Sequence, residues 1–359
     1  MHGDKKVACI HRDGRCVVYH AAFMPYNLYL EPTGENEIDT RVNNLQNFYS
    51  WCSSRLLTLD RTYAKEILNY LGQKQAVTDK DRAAVSLTYH CLSLMDIYWV
   101  KGYRENTDFK QLNLYRHSLS NAFVDVSLRG KAVTVQNAEL LREQDVAGDV
   151  GTPGVAPKAW IRKNHTFSLL KDGSERDVEA ELLASRILDC FRVEHVKYYA
   201  SEYKGQKVST CDIITGLEKS IVTAEYVELY AMNHDIDFLE LVCEKSRYEY
   251  HMMNIMDYLL GNNDRHWGNW GFFVDNRTNQ LLGLHPLMDF NKAFSAYDTM
   301  TGATCLIAKG HRTQQDVAGE AVKHVGLNQT CEVKKEWFQN KDDWEMFQDR
   351  LLWLKAQCE

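Results

Sequence analysis

Apolar positions recur along this chain with two different periods, and the pattern changes near the middle. Val7 to Ile10 and Cys16 to Tyr19 are short apolar runs on either side of Asp13-Gly14, which predicts a β-hairpin. Val42, Leu45, Phe48, Trp51, Cys52, Leu56 and Leu59 then follow helical spacing. Thr78 opens a helix predicted to run through Tyr98, with Gly102 beyond its end, and another is predicted over Leu112 to Phe123. The aromatic residues on these helical faces read as core. A polar stretch from Gln136 to Asp145 and a loop from Gly148 to Lys158, with two prolines and three glycines, interrupt the pattern and mark a subdomain boundary.

Beyond the loop the chain returns to strands. Ala159 to Arg162 and Thr166 to Lys171 bracket Lys163-Asn164-His165 as a second hairpin. Ser174 caps a helix that begins Glu175-Arg176-Asp177 and runs to about Cys190, its acidic first turn suiting the positive end of the helix dipole. Strands are predicted at Val196 to Ala200 and Ser220 to Thr223. Helices follow over Ala224 to Asn233, Asp237 to Val242 and Ser246 to Leu260, the last closed by Gly261. Trp270 to Val274 and Gln280 to Leu284 form a third hairpin turning at Asp275-Asn276, and the remainder is helical, with Trp337, Trp344, Phe347, Leu351 and Leu354 on one face. Strands followed by helices, twice over, predict an α+β fold rather than βαβ repetition.

Composition narrows the class. The 359 residues suffice for two lobes, and 45% hydrophobic with 25% charged residues exclude disordered and low-complexity chains. A net charge of −7 gives no electrostatic footprint for nucleic acid, so no direct nucleic-acid binding is expected. The longest apolar run, Cys91 to Val100, is short and carries Asp96, so no membrane span is expected. No apolar signal segment follows Met1. The ten cysteines include no Cys-x-x-Cys pair and read as reduced core thiols of a cytoplasmic protein, without zinc ligand spacing.

The chemistry concentrates in Gly261-Asn-Asn-Asp264-Arg265-His266-Trp-Gly-Asn269, a polar loop between a helix end and a strand. The hairpin begun by Trp270 returns the chain at His285-Pro-Leu-Met-Asp289-Phe290-Asn291, which can bring Asp289 beside Asn269. Asp264 and Asn269 have the Asp-x-x-x-x-Asn spacing of a kinase catalytic loop, and Asp289-Phe290-Asn291 parallels the metal-binding Asp-Phe-Gly. A carboxylate at Asp264 would orient the acceptor hydroxyl, while Asn269 and Asp289 would hold Mg²⁺ against the phosphates of ATP. Upstream, Lys171 alternates with Phe167 and Leu169 on one strand face, and the next helix offers Glu179 and Glu181 as partners, Glu181 being preferred. The loop bearing Gly151, Gly154 and Lys158 stands where a phosphate-covering loop would stand.

In this order, the Gly-containing loop with Pro157-Lys158, the strand lysine Lys171, the helix glutamate, Asn262-Asn-Asp264-Arg-His266-Trp-Gly-Asn269 and Leu287-Met-Asp289-Phe-Asn resemble HipA-type kinases. The Asp-Arg-His-x-x-Asn string is shared with the phosphatidylinositol 3-kinase-like branch. The resemblance covers roughly Gly148 to Tyr297. It implies a bilobal protein-kinase-like fold, ATP and Mg²⁺ as cofactors, and phosphorylation of serine or threonine in a protein substrate, often by a toxin restrained by a DNA-binding antitoxin. Carried over by position, Asp264 is the catalytic carboxylate, Asn269 and Asp289 hold metal, and Lys171, Glu181, Gly151, Gly154, Lys158 and His266 belong to the nucleotide site. The implied organisation is an accessory subdomain over 1–132, mixed but mainly helical, a small lobe over 133–223 and a large helical lobe over 224–359. Toxins of this type often carry an autophosphorylated serine in the Gly-rich loop, where this chain has only Thr152 as a hydroxyl. The alternatives are a small-molecule or lipid kinase, since the loop does not choose the acceptor, a nucleotide-binding pseudokinase, and a metal nuclease built on His266 and His285.

Overall fold

A computed structural model describes residues 1–34, 36–72, 76–117, 121–130, 149–152, 154–163, 166–295 and 299–358. The polar stretch 136–145, Gly148, Pro153 and the turn residues Asn164 and His165 lie outside the described residues. The chain divides into two compact units. The first holds residues 1–172, 212–220 and 274–280, and the second holds 173–211, 221–273 and 281–359.

In the first unit, strands β1 (Ala8–Ile10) and β2 (Cys16–Val18) form the expected antiparallel hairpin, and Gly14 at its turn has φ +87 and sits against the Arg41 carbonyl, where no side chain fits. Helices α1 (Ile38–Ser54), α2 (Ala64–Tyr70), α3 (Asp79–Thr88), α4 (Phe109–Leu112) and α5 (Asn121–Arg129) follow, then the antiparallel pair β3 (Lys158–Lys163) and β4 (Thr166–Lys171). Helix α1 stops at Ser54, so Leu56 leaves the helix to join a cluster with Ile67 and Val126, and Leu59 is exposed.

The helix predicted from Thr78 through Tyr98 is the largest departure. Thr78 does cap it, in a reciprocal box with Asp81, but α3 ends at Thr88 and His90 and Cys91 turn to φ 55 and 53. The buried Arg55 guanidinium explains the exit. It donates to the Cys91 carbonyl at 2.5 Å and grips the Asp96 carboxylate at 2.7 and 2.8 Å. The Arg55 charge, held inside the unit, would be uncompensated without this carboxylate and carbonyl. The single helix predicted over Leu112 to Phe123 is instead the short α4, a 3₁₀ turn at Leu114–Arg116 and α5. Asn113 ends α4 by turning its side-chain amide back onto the Phe109 carbonyl at 2.9 Å.

The second unit begins with α6 (Glu175–Leu188), capped by Ser174 as the sequence indicates, and Asp177 reciprocates the cap. An antiparallel hairpin of β5 (Tyr199–Tyr203) and β6 (Gln206–Asp212) follows. The sequence reading missed β6 and placed β5 too early. Lys204-Gly205 is a two-residue turn with both φ values positive, 50 and 80, and residues 194–196 pair with Leu287 instead. Next come β7 (Lys219–Thr223), α7 (Ala224–Asn233), α8 (Phe238–Leu260), β8 (Gly271–Asp275), β9 (Gln280–Leu284), α9 (Gln314–Val325) and α10 (Lys341–Gln357), with β7, β8 and β9 adjacent in that order in one sheet. The ends of β6 to β9 belong to the first unit. The two helices predicted over 237–260 are one helix kinked at Ser246, whose φ is −158 and whose hydroxyl accepts from the Leu284 amide at 2.8 Å. Met252, Met253, Ile255, Met256, Tyr258, Leu259 and Leu260 are all fully buried, so the last turns of α8 form the axis of this unit's core. The architecture is α+β, with antiparallel strand pairs and helical cores.

The Arg55–Asp96 pair yields a stability test. Replacing Asp96 by alanine leaves the Arg55 charge buried without its carboxylate. The expected loss is about 3–5 kcal/mol, read by urea unfolding followed through tryptophan fluorescence. A loss below about 1 kcal/mol, the range of an exposed pair, would show that the pair does not organise residues 89–98.

Candidate active site

The site grows out of the end of α8. Gly261 takes the left-handed conformation, φ 56 and ψ 38, and returns its amide to the carbonyls of Asp257 and Tyr258, which closes the helix and sends the chain back across it. Asp257, on the last turn, is buried. Its carboxylate accepts from Asn262 Nδ2 at 2.8 Å and from the Arg265 guanidinium at 3.0 and 3.1 Å. Arg265 is equally buried, and its remaining nitrogen, Nη1, donates to the carbonyls of Asn269 and Met288, each at 2.7 Å. One guanidinium therefore fastens the loop 262–269 to the residue before Asp289, and its Cζ lies 4.7 Å from the Phe290 ring centre.

This tie brings Asp264, Asn269 and Asp289 together. Asn269 Nδ2 donates to the Asp264 carbonyl at 2.7 Å, which fixes the amide so that Oδ1 is the atom offered to a ligand. Asp289 sits at φ 62, a left-handed position that Asp tolerates better than most residues, and its amide lies 3.4 Å from the Tyr198 hydroxyl. Asp264 is half-buried, and its carboxyl is raised above the ordinary aspartate range, first by burial and then by the Asp289 carboxylate, against the lowering influence of His266 and Lys292. Two residues beyond Asp289, the buried Oδ1 of Asn291 has no hydrogen-bond partner. His266 is exposed, its Nδ1 accepting from the Gly268 amide at 3.1 Å.

The donor set fits a small hard cation. The Asp289 carboxylate and the Asn269 amide oxygen suit Mg²⁺, which retains water and uses few protein ligands. Among the described residues no three His, Cys, Asp or Glu side chains group as a metal site. His285, the second anchor of the nuclease alternative, is buried beside Phe273 with Nδ1 on the Pro286 carbonyl, and burial lowers it to about 4, so it stays neutral.

The segment after Asp289 is held from α6. Lys292 donates to Asp177 Oδ1 at 2.7 Å while the other oxygen of Asp177 caps its own helix. Arg176 donates to the Phe294 carbonyl at 2.9 Å and grips Asp343, in the first turn of α10, at 2.6 and 2.8 Å. Further along α6, Glu181 is buried and accepts from the Ser209 hydroxyl at 2.5 Å, whereas Glu179 is paired with Lys207 at 3.1 Å.

The other expected residues lie in the first unit. Lys158 and Lys171 are directly opposite in the β3–β4 register, so both side chains share one face, and both are buried. Like charges so placed call for anionic groups beside them. Gly154, at φ +97, runs so close to the Lys158 ammonium that a Cβ there would lie 2.4 Å from Nζ. The Gly151 amide is already committed, donating to Asp149 Oδ1 at 2.9 Å, and Arg61 pins the loop through the carbonyls of Thr152 and Lys158 at 2.9 and 2.5 Å. Gly151 thus helps shape the loop.

The raised carboxyl of Asp264 has a signed consequence. A carboxyl raised on folding stabilises the fold fully below its unfolded value, and that stability is lost as pH rises through the folded value. Asp264→Asn, which cannot ionise, is therefore expected to be more stable than the wild type at pH 7. The advantage should shrink as pH falls below the folded value of Asp264. Thermal unfolding of both proteins from pH 7 to pH 4 measures it, and an advantage that grows on acidification would contradict the assignment.

No protein-family model and no curated protein matches this chain. Among solved structures, it is similar to the proinflammatory kinase CtkA of Helicobacter pylori, with 16% identity over 56% of this chain and 90% of that one and a TM-score of 0.40. It is also similar to a chain of the HipA, HipB and operator DNA complex of the Shewanella oneidensis MR-1 toxin–antitoxin system. There the identity is 11% over 87% of this chain and 85% of that one, with a TM-score of 0.47.

Proposed function

We propose that this protein is an ATP- and Mg²⁺-dependent kinase that transfers the γ-phosphoryl group to a serine or threonine of a protein substrate. The observation that carries the reading is the buried guanidinium of Arg265, which ties the carbonyl of Asn269 to that of Met288, next to Asp289, while the Asp289 carboxylate acts on Asp264. Bound Mg²⁺ supplies charge neutralisation at the phosphates. Asn269 Oδ1 and Asp289 are the residues to hold it. Asp264 orients the acceptor hydroxyl and accepts its proton at the carboxylate. A carboxyl raised by its surroundings is a better base for that step than an ordinary aspartate. Lys171 and Lys158, with Gly154 beside them, supply the anion-binding charge assigned to the nucleotide phosphates, and Glu181 is the acidic partner assigned to Lys171. His266, exposed at the loop, is assigned to the nucleotide side. The cytoplasmic location, read from the scattered cysteines, and the toxin role and DNA-binding antitoxin partner, implied by the resemblance, belong to the same proposal, as does the division into accessory subdomain, small lobe and large lobe.

The roles separate experimentally. Asp264→Asn should keep Mg²⁺–ATP binding and lose phosphoryl transfer by about 10²–10⁴-fold, the usual contribution of a positioned base. Asp289→Asn should instead lose the Mg²⁺-dependent part of nucleotide binding, and Lys171→Met should weaken ATP binding and turnover. Calorimetry with and without Mg²⁺, beside transfer of labelled phosphate to protein, reads all three. Transfer by Asp264→Asn at the wild-type rate would overturn the mechanism. ATP binding without any transfer in the wild type would leave a pseudokinase.

A further inference from the structure

The sequence places ten cysteines apart from one another, but folding brings two pairs together. Cys190 follows the end of α6, and Cys331 lies in the segment that leads to α10. Phe191 pairs antiparallel with Gln329, and the Arg192 amide meets the Asn328 carbonyl at 3.0 Å. The Cys190 carbonyl then receives both the Thr330 amide at 2.7 Å and the Cys331 amide at 3.5 Å. Such backbone contact sets the two residues side by side, as disulfide closure requires. The Cys190 thiol donates to the carbonyl of Glu332, the residue after Cys331, at 3.7 Å, and Cys331 is near enough to raise the Cys190 thiol. The two sulfurs differ in access: Cys190 is 1% exposed, whereas Cys331 is open to solvent. The second pair, Cys52 and Cys91, is also in side-chain contact, but both residues are buried.

We propose that Cys190 and Cys331 are a dithiol site that closes reversibly to a disulfide, with Cys331 meeting the oxidant and Cys190 resolving it. The oxidant class is a low-molecular-weight disulfide such as oxidised glutathione. The Cys331 thiolate attacks one of its sulfurs, forming a mixed disulfide and releasing one thiolate. The Cys190 thiol gives its proton to solvent and displaces the second thiolate from Cys331, forming the Cys190–Cys331 bond. Two protein thiols are oxidised and one external disulfide is reduced to two thiols. Only the first step needs room for the external disulfide, so the buried position of Cys190 is no obstacle to the second. Burial raises the Cys190 thiol, so ring closure should quicken as pH rises. The bond would staple the end of α6 to the segment before α10. The Cys52–Cys91 pair, closed to the oxidant at both sulfurs, should stay reduced and serves as the internal control.

The test uses the full chain in glutathione buffers of increasing oxidised fraction at pH 7 and pH 8.5, followed by intact mass and non-reducing peptide mapping. The expected result is loss of two hydrogens per chain, a linked peptide joining Cys190 to Cys331 that dithiothreitol dissolves, faster formation at pH 8.5, and no Cys52–Cys91 link. Cys190→Ser should stop at a glutathione adduct on Cys331, and Cys331→Ser should leave Cys190 unmodified, with circular dichroism confirming that both variants fold. A wild-type chain that accumulates the Cys331 adduct without closing, links Cys190 to another cysteine, or leaves Cys331 unreacted would overturn the proposal. None of these readouts depends on kinase activity.

Discussion

The ion pair between Arg265 and Asp257 is the interaction on which the candidate site depends. Both partners are almost completely buried, so neither charge is tolerable without the other. Asp257 is fixed because it stands on the last turn of α8, the most deeply buried helix end in the second unit. Arg265 is fixed because it must reach that carboxylate, and doing so leaves Nη1 aimed at two carbonyls from different stretches of chain. The pair does not touch the chemistry itself. Its effect is to make the 262–269 loop and the start of the 289–295 segment one object.

That arrangement accounts for two unfavourable features. Asp289 occupies a left-handed backbone position, and Asp264 has its charged form disfavoured by burial and by a neighbouring carboxylate. Strain of this kind persists only where the surroundings over-determine it. Here Arg265 holds the residue before Asp289, while the first turn of α6 holds the residues after it through Lys292–Asp177 and Arg176–Phe294. Asp177 serves twice, as helix cap and as ion-pair partner, so the geometry of a helix start is transmitted directly to the segment that bears the candidate metal ligand. Asp343 extends the same link to α10.

Much of this was legible in the sequence because local chemistry governed it. The Ser174 cap, the helix stop at Gly261 and the hairpins around Asp13-Gly14 and Asp275-Asn276 each depend on residues within a few positions of one another. The Asp264 and Asn269 spacing was visible for the same reason. What escaped was decided by distant partners. Nothing near Thr88 announces that Arg55 will claim Asp96 and end the helix. The importance of Arg265 was hidden because its carbonyl acceptors have no sequence signature, and Lys292 looks like any surface lysine until α6 is placed beside it. The β6 strand was missed for a local reason, its Lys204-Gly205 turn being weaker punctuation than Asn-Gly or Asp-Gly.

The central claim is that Arg265 assembles one oxygen-lined metal site from Asn269 and Asp289, with Asp264 beside it and off the metal. A crystal structure grown with Mn²⁺ in place of Mg²⁺ and a non-hydrolysable ATP analogue tests it directly, since anomalous scattering locates the metal without ambiguity. The account predicts a peak bonded to Asn269 Oδ1 and to Asp289 at about 2.1–2.2 Å, close to the usual Mg²⁺ distance, with the Asp264 carboxylate outside the coordination sphere. A metal held elsewhere, or one bonded to Asp264 in place of Asp289, would contradict it.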